Sequence, residues 1–110
     1  MSNPKFTIFR GINNQFYFRL TSINGEIILS SEGYTSNQSC RVGIMSVKTN
    51  APHDSRYDRK LSGFSYTFNL KGSNGEIIGR SESYTTMAAR ENGISAVKRD
   101  APLAPIYEQN

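Results

Sequence analysis

The residue types that most often carry chemistry are scarce in this sequence. Its 110 residues include one histidine, His53, and one cysteine, Cys40. Hydrolytic catalysis generally needs a nucleophile, a base and a group that orients the base. A structural zinc ion needs four ligands, and a catalytic zinc ion usually has three from the protein. This inventory supplies neither set, so we predict no catalytic residue, no metal site and no cofactor.

Each of these two residues also has a simpler structural role. Cys40 falls on the apolar side of a predicted helix, which favours a buried structural thiol over a reactive one. His53 follows Pro52 in the connector 51–55, where we expect it to be in contact with solvent. Neither residue is therefore a candidate for catalysis.

Two pairs of glutamates are the remaining candidates for acid–base or cation-binding chemistry. Glu26 and Glu76 each follow an Asn-Gly pair, and Glu32 and Glu82 each precede a helical pattern. Paired across a twofold axis, such carboxylates could serve as oxygen ligands or as an acid–base pair. The simpler interpretation is that the first pair keeps hairpin tips hydrated and the second interacts with helix dipoles. We adopt the simpler interpretation.

A basic face with one aromatic residue is the surface on which the sequence suggests binding. The net charge is +4 and the pI is near 9.4, with lysines and arginines scattered along the chain. Tyr17, Arg19, Asn69 and Lys71 share the polar side of two predicted strands, so they would lie on the sheet face away from the helices. Such a face can stack bases and bind phosphates. We predict a speculative ligand or nucleic-acid face there, although one tyrosine is a small platform.

A tandem duplication places these candidates. The two copies are fifty positions apart and keep one register from the turn to the end of the helix. The matching segments are Asn24-Gly25-Glu26-Ile27-Ile28 with Asn74-Gly75-Glu76-Ile77-Ile78, Ser31-Glu32-Gly33-Tyr34-Thr35 with Ser81-Glu82-Ser83-Tyr84-Thr85, and Gly43-Ile44, Val47-Lys48 and Ala51-Pro52 with Gly93-Ile94, Val97-Lys98 and Ala101-Pro102. Tyr57 also matches Tyr107. We predict one domain over residues 1–110, with repeat 1 at 4–57 and repeat 2 at 58–110.

Each copy begins with strands. Apolar and polar residues alternate before each Asn-Gly pair, which is typical of half-buried strands. Asn-Gly is the preferred sequence of a type I′ turn, so it predicts a hairpin. A further strand precedes each hairpin, and in the second copy its low apolar content makes it the weakest prediction. The predicted strands are residues 5–10, 15–21, 26–30, 57–62, 65–71 and 76–80.

A helix ends each copy. Thr35 or Ser36 is the predicted N-cap of the first helix, and Thr85 or Thr86 that of the second. A proline follows each helix. The predicted inward residues are Cys40, Ile44, Val47 and Ala51 in the first helix, and Met87, Ile94, Val97 and Ala101 in the second.

Three residues in these helices need an explanation. Gly43 and Gly93 each cost about 1 kcal/mol relative to alanine in a helix. We expect close packing of the helices against the sheet or each other to offset this cost, with a backbone contact to a ligand as the alternative. Arg90 occupies the stripe position of Cys40, and we expect its guanidinium to reach water at the helix edge.

The repeat resembles a family of small bacterial proteins typified by YegP. The residues that carry the resemblance are the Asn-Gly-Glu-Ile-Ile, Ser-Glu-x-Tyr and Gly-Ile-x-x-Val-Lys segments, and they cover nearly the whole chain. The resemblance implies an α+β fold of two tandem β-β-β-α-β repeats that form one antiparallel-rich sheet. It further implies that both helices lie on one face and that the C-terminal strands, near residues 56–57 and 106–107, are exchanged between repeats. It implies no functional residue.

These observations favour a non-enzymatic binding or protein-interaction module whose partner is a protein or a small ligand. The alternative is a nucleic-acid-binding protein that uses the uncovered sheet face. We expect a monomer with internal pseudo-twofold symmetry. No apolar run is long enough for a signal peptide or a membrane span, so we expect no membrane partner and a cytoplasmic location.

Overall fold

The computed structural model describes residues 3–109, which form seven strands, two α-helices and one short 3₁₀ helix. The elements are β1 (Lys5–Arg10), β2 (Phe16–Thr21), β3 (Ile27–Ser30), α1 (Asn37–Asn50), the 3₁₀ helix (Asp54–Arg56), β4 (Tyr57–Ser62), β5 (Ser65–Lys71), β6 (Ile77–Arg80), α2 (Met87–Asp100) and β7 (Ile106–Glu108). The predicted domain limits at residues 1 and 110 fall outside the described residues.

All seven strands form one sheet in the order β4-β5-β6-β3-β2-β1-β7. The two halves meet where β3 and β6 pair antiparallel at Ser30 and Arg80. β7 lies parallel to β1, whereas the other neighbouring strands are antiparallel. The last strand of the second repeat therefore completes the half of the sheet built by the first. This confirms the predicted α+β tandem-repeat fold with strand exchange.

β4 belongs to both repeats, which explains why the sheet has seven strands. It begins at Tyr57, directly after the 3₁₀ helix that follows α1, and pairs with β5 along its full length. The segment that ends the first repeat and the strand that opens the second are thus continuous. The weakest strand prediction, residues 57–62, is confirmed with these limits.

The hairpins are present, but their turns are not type I′. That turn needs positive φ at both central residues, and in each Asn-Gly pair only the glycine has it, with φ of 84° at Gly25 and at Gly75. Hydrogen bonds from Gly25 N to Ser22 O, at 2.9 Å, and from Ser22 N to Glu26 O, at 2.8 Å, close a three-residue loop. This is the type I turn followed by a left-handed residue that also serves hairpins.

One core lies between the sheet and the helices, which both pack on the same face. Its largest fully buried side chains are Phe6, Ile8, Phe18, Leu20, Leu29, Ile44, Val47, Phe68, Leu70, Ile94 and Val97. Burying one such side chain contributes roughly 1.5–3 kcal/mol. Both repeats contribute to this single cluster, so the two copies share one core.

The helices begin at the predicted caps. The Ser36 hydroxyl accepts a hydrogen bond from Ser39 N, and the Thr86 hydroxyl accepts one from Ala89 N, both at 3.0 Å. These bonds satisfy backbone donors that have no partner inside the helix.

The helix glycines make room for tyrosines. A Cβ atom on Gly43 would lie 2.7 Å from Cζ of Tyr34, and one on Gly93 would lie 2.8 Å from Cζ of Tyr84. The predicted close packing is therefore present, but the neighbour is a tyrosine from the segment before each helix. The tyrosines and glycines of the repeat form two equivalent contacts.

Two predictions about α2 are wrong. Met87 is 57% exposed, because it stands in the first turn, beyond the stripe that faces the sheet. Arg90 is 7% exposed and its guanidinium does not extend into water. It donates to Lys60 O at 3.2 Å, pairs with Glu91 at 3.1 Å and lies 5.4 Å from the ring centroid of Tyr66. These partners allow a charged group to be buried.

Candidate ligand-binding face

The sheet face opposite the helices is uncovered, and one row of paired residues crosses all seven strands on it. From β4 to β7 the row is Asp58, Asn69, Arg80, Ser30, Arg19, Thr7 and Tyr107. Side chains alternate along a strand, so Lys5 and Phe9 on β1, Tyr17 on β2, Lys60 on β4 and Lys71 on β5 share this face. In β3 and β6 the register shifts opposite Leu20 and Leu70 interrupt the alternation, and Ile28 and Ile78 pack with the core. We call it the open face.

Tyr17 and Arg19 lie in an aromatic and cationic cluster on the open face. The ring of Phe9 stacks on that of Tyr17, with centroids 5.7 Å apart and planes at 20°. The guanidinium carbon of Arg19 lies 4.1 Å from the Phe9 centroid. Asn13 holds Tyr17 from the β1–β2 loop by donating to its hydroxyl at 2.9 Å. The single predicted tyrosine is therefore part of a larger group.

A shallow depression lies beside this cluster, where β7 joins β1. Its volume is about 480 Å³, and its lining includes Lys5, Thr7, Arg19 and Tyr107. Tyr107 is 56% exposed, and Nζ of Lys5 lies 5.6 Å from its ring centroid. Glu108 and Gln109 complete the lining, and the Glu108 carboxylate is paired with Arg41. The depression thus combines two cations without an ion-pair partner, a hydroxyl, an accessible aromatic ring and one neutralised carboxylate.

Asn69 and Lys71 lie on the same face in a different environment. Asn69 is only 7% exposed, between its cross-strand neighbours Asp58 and Arg80. Nζ of Lys71 lies 3.5 Å from the Asp58 carboxylate, and Nζ of Lys60 lies 3.3 Å from it. The hydrogen bond from Lys60 holds the pKa of Asp58 below its usual range. In this part of the open face the lysines are therefore paired with the Asp58 carboxylate.

The four predicted site residues are therefore not one cluster. β3 and β6 separate β2 from β5, so three strand spacings, about 14 Å, lie between the two pairs. The repeats also differ here. Lys60 and Thr67 pair in the second repeat as Phe9 and Tyr17 do in the first. The aromatic cluster exists in only one half of the sheet.

The open-face cations that have no ion-pair partner are also found in only one half of the described sheet. Among the open-face cations, Lys60 and Lys71 pair with Asp58, and Arg80 pairs with Glu32 at 2.6 Å. Lys5 and Arg19 form no ion pair within residues 3–109. The half of the face with the aromatic rings is also the half with uncompensated positive charge.

Glu32 and Glu82, the glutamates that precede the helices, do not converge. Glu32 and Glu82 each lie two residues beyond the Ser30–Arg80 pair, but the antiparallel strands carry them in opposite directions. At about 3.3 Å per residue their separation is roughly 13 Å, and both are exposed. In the part of the chain that the structure describes, no three His, Cys, Asp or Glu residues are grouped as metal ligands.

The cysteine and histidine positions agree with the sequence interpretation. Cys40 has no exposed surface, and burial raises the pKa of its thiol to about 11. His53 is exposed in the connector before the 3₁₀ helix.

For residues 3–109, neither helix has the length and apolar character that a membrane crossing requires.

Sequence reasoning missed three members of the cluster, namely Lys5, Phe9 and Tyr107. The alternation of residues along β1 would have predicted Lys5 and Phe9 on this face, because they alternate with the buried residues Phe6 and Ile8. Tyr107 joins the face only through the parallel pairing of β7 with β1. Parallel pairing between distant segments has no local sequence signal.

Curated relatives of this chain are bacterial. It is 50% identical over 58 residues to the UPF0339 protein in the ptx operon 5′ region of Stutzerimonas stutzeri, with 53% of this chain and 52% of that protein aligned. It is 47% identical over 55 residues to the UPF0339 protein YegP of Escherichia coli K12, with half of each chain aligned. Each alignment spans about half the length of the relative.

Solved structures match over nearly the full chain. The solution NMR structure of yegP from E. coli, described as a protein of unknown function, has a TM-score of 0.91 at 39% identity and covers 99% of this chain and 95% of that one. The UPF0339 protein SO3888 from Shewanella oneidensis also has a TM-score of 0.91 at 39% identity, with coverage of 98% and 92%. The model of the domain of unknown function DUF1508 matches residues 13–58 and again residues 64–108. The chain is therefore a tandem-repeat member of the DUF1508 family.

Proposed function

We propose that this protein is a non-enzymatic binding module whose ligand contacts the open face. The observation that carries the proposal is the charge of that face. Its strands place five cations and one carboxylate there, namely Lys5, Arg19, Lys60, Lys71, Arg80 and Asp58. Glu32, just beyond β3, adds a second carboxylate that pairs with Arg80, and the cations remain in excess. A surface that concentrates one sign of charge attracts ligands of the opposite sign.

The arrangement of reactive groups supports binding in preference to catalysis. An active site brings a nucleophile, a base and an orienting group within hydrogen-bonding distance. Here the thiol of Cys40 is buried, His53 lies on a connector, and Glu32 and Glu82 lie far apart. The open face has cations and rings, which bind ligands without needing to react with them.

The ligand of such a module is an acidic protein surface, a small anion or a nucleic acid. The specific observation that favours nucleic acid as a second candidate is the group of Phe9, Tyr17 and Arg19. Partly exposed rings beside a guanidinium group are suited to stacked bases and phosphates.

We also propose a monomeric, cytosolic protein. The strand exchange that a single repeat would need from a second chain is made here within one chain, by β7 on β1. The lone cysteine is in keeping with a reducing compartment. Light scattering after gel filtration should give the mass of one chain, and cell fractionation should place the protein in the cytosol. A dimer mass or a membrane-bound fraction would contradict this part of the proposal.

A capture experiment with matched variants tests the binding module. Wild-type protein, the double variant Lys5→Gln/Arg19→Gln and the control Arg10→Gln are immobilised and exposed to native bacterial lysate. Arg10 is an exposed cation on β1 that lies over Phe16 on the helix side, at 4.7 Å from its ring centroid. The retained molecules are identified by mass spectrometry and by sequencing of any nucleic acid.

The expected result is a ligand that wild type and Arg10→Gln retain and the double variant loses. Identical material on all three proteins, or nothing enriched on wild type, would show that the open face is not the binding surface. Circular dichroism of each variant confirms that the fold is intact.

A further inference from the structure

We propose, resting on the binding function above, that the ligand is single-stranded nucleic acid. The site is the half of the open face formed by β7, β1 and β2, which we call the half-sheet site. Its contacting residues are Lys5, Thr7, Phe9, Tyr17, Arg19 and Tyr107. The other half of the face contributes little to binding.

Two free cations supply the phosphate contacts. Lys5 and Arg19 flank Thr7 in the depression, and their charged groups make no hydrogen bond or ion pair to a side chain within residues 3–109. A guanidinium presents several donors in a fixed plane, which fits phosphate oxygens. Thr7 lines the same depression and offers its hydroxyl as a further donor. A backbone phosphate seated over Thr7 would be within reach of both cations.

Aromatic rings supply the stacking contacts. Tyr107 stands at the edge of the sheet with more than half of its surface exposed, and Phe9 and Tyr17 form a stacked pair one strand further in. Bases stack on such rings whatever their identity, because every base has a π-face. One phosphate between Lys5 and Arg19 therefore has rings on both sides for the flanking bases.

The geometry favours a single strand over a duplex or an acidic peptide. In a duplex the base faces are already stacked on each other, so the exposed ring of Tyr107 would have no base to stack on. An acidic peptide could pair with Lys5 and Arg19 but would leave Tyr107 without a role. Only unpaired bases joined by phosphates use both kinds of group.

Binding is measured by fluorescence anisotropy with labelled single-stranded RNA and DNA of roughly 12 nucleotides, a length within the range that one such module covers. A duplex of the same sequence and an acidic peptide are the comparison ligands. Affinity for the single strand should fall steeply as salt is raised, since phosphate contacts release counterions. The duplex should bind more weakly.

Variants locate the site. Tyr107→Ala should weaken single-strand binding roughly tenfold, the usual effect of removing one stacked ring, and Tyr107→Phe should retain it. Lys5→Ala with Arg19→Ala should weaken binding and lower the salt slope by about 0.7, the contribution of the one phosphate that the two cations share. The single variant Lys5→Ala is compared with Lys71→Ala as its matched control, since each removes one charge and Lys71 lies in the paired half of the same face.

Three results would overturn the proposal. Wild type that binds no single strand at low salt would exclude this ligand class, and face-dependent capture of an acidic protein would then leave the binding function standing. An equal loss in Lys71→Ala and Lys5→Ala would indicate unspecific attraction to the whole face. Oligonucleotide binding that no open-face variant weakens would place the site elsewhere and also contradict the proposed function.

Discussion

In each repeat an arginine covers a half-buried aromatic ring, but the arginine comes from a different element. The aromatic residue near the start of the second strand of each repeat, Phe16 or Tyr66, has a guanidinium over its ring. In the first repeat it comes from Arg10 on the neighbouring strand, and in the second from Arg90 on the helix. Each guanidinium covers a half-buried ring by a cation–π contact. This shared need explains how Arg90 can occupy the place of Cys40.

Alanine in place of the helix glycines should destabilise the protein, although alanine is the better helix former by about 1 kcal/mol. In Gly93→Ala the new Cβ atom would meet Cζ of Tyr84 at 2.8 Å and Cε2 at 3.2 Å. Overpacking of this kind costs about 1–3 kcal/mol. Urea unfolding measures the change, with Asn92→Ala on the exposed side of α2 as the control.

The expected order of stability is Asn92→Ala at or above wild type and Gly93→Ala below it. Tyr84→Leu should restore part of the loss in Gly93→Ala, because it removes the atoms that clash, and a double-mutant cycle gives the coupling. Independent, additive effects of the two substitutions would contradict the proposed contact.

Cys40 should react with thiol reagents only when the protein unfolds. Burial raises the pKa of its thiol to about 11, so near pH 8 about one molecule in a thousand would have a thiolate, which is the reactive form. Labelling by a disulfide reagent should be slow in the native protein and complete in denaturant. An engineered thiol at an exposed helix position, Ser95→Cys, is the accessible control. Rapid labelling of native wild type would contradict the burial of Cys40.

At the scale of elements, the connection from α1 to β4 is held by charge. The 3₁₀ helix begins with Asp54, whose carboxylate lies 3.0 Å from Arg59 on β4 and 2.7 Å from Lys98 on α2. These hydrogen bonds, first from Arg59 and then from Lys98, lower the pKa of Asp54 to about 2. Asp54 therefore links the connection between the repeats to β4 of the sheet and to α2.

Asp54 should contribute to the pH dependence of stability. Its folded pKa lies below its ordinary value of 3.8, so its contribution is present above that value and is lost as the pH falls toward 2. The effect is small because the carboxylate is exposed. Urea midpoints at about pH 5 and about pH 2.5 should differ less in Asp54→Asn than in wild type. Glu76→Gln, at an exposed hairpin tip, is the control, and an unchanged difference in Asp54→Asn would contradict the role.

Elements were predicted well where the cause is local. Alternation gave the strands, hydroxyl caps gave the helix starts, and the Asn-Gly pairs gave the hairpins. The predicted turn type was wrong. Asn24 and Asn74 are the second central residue of a type I turn, and the glycine that follows each of them is the left-handed residue after the turn. The predicted ligand face lacked Tyr107 because that residue reaches the face through the parallel pairing of β7 with β1, from opposite ends of the chain. Asn69 shares the predicted face but is covered by its neighbours, and a sequence has no signal for that.

At the scale of the molecule, the duplication makes one structure with two different halves. The core is nearly symmetric, with Phe18 and Phe68 in equivalent buried places. The open face is not, since rings and free cations occupy only the β7-β1-β2 half. The helices also cross the boundary between repeats, because α1 packs near β5 and β6 and α2 packs near β3. Stability is therefore shared between the copies, and the proposed binding surface combines β1 and β2 of the first repeat with β7 of the second.

This sharing predicts that the two repeats unfold together. Phe18→Leu and Phe68→Leu remove matched volume from the common core, and each should cost about 1–2 kcal/mol. Each substitution should lower the denaturant midpoint of one unfolding transition that includes the whole chain. Neither half keeps a separate core once the other unfolds. Hydrogen exchange, read separately for β1–β3 and β4–β6 in denaturant, should show both halves losing protection at the same midpoint. If Phe18→Leu released the first half while the second stayed protected, the repeats would be independent units joined by a short β3–β6 contact.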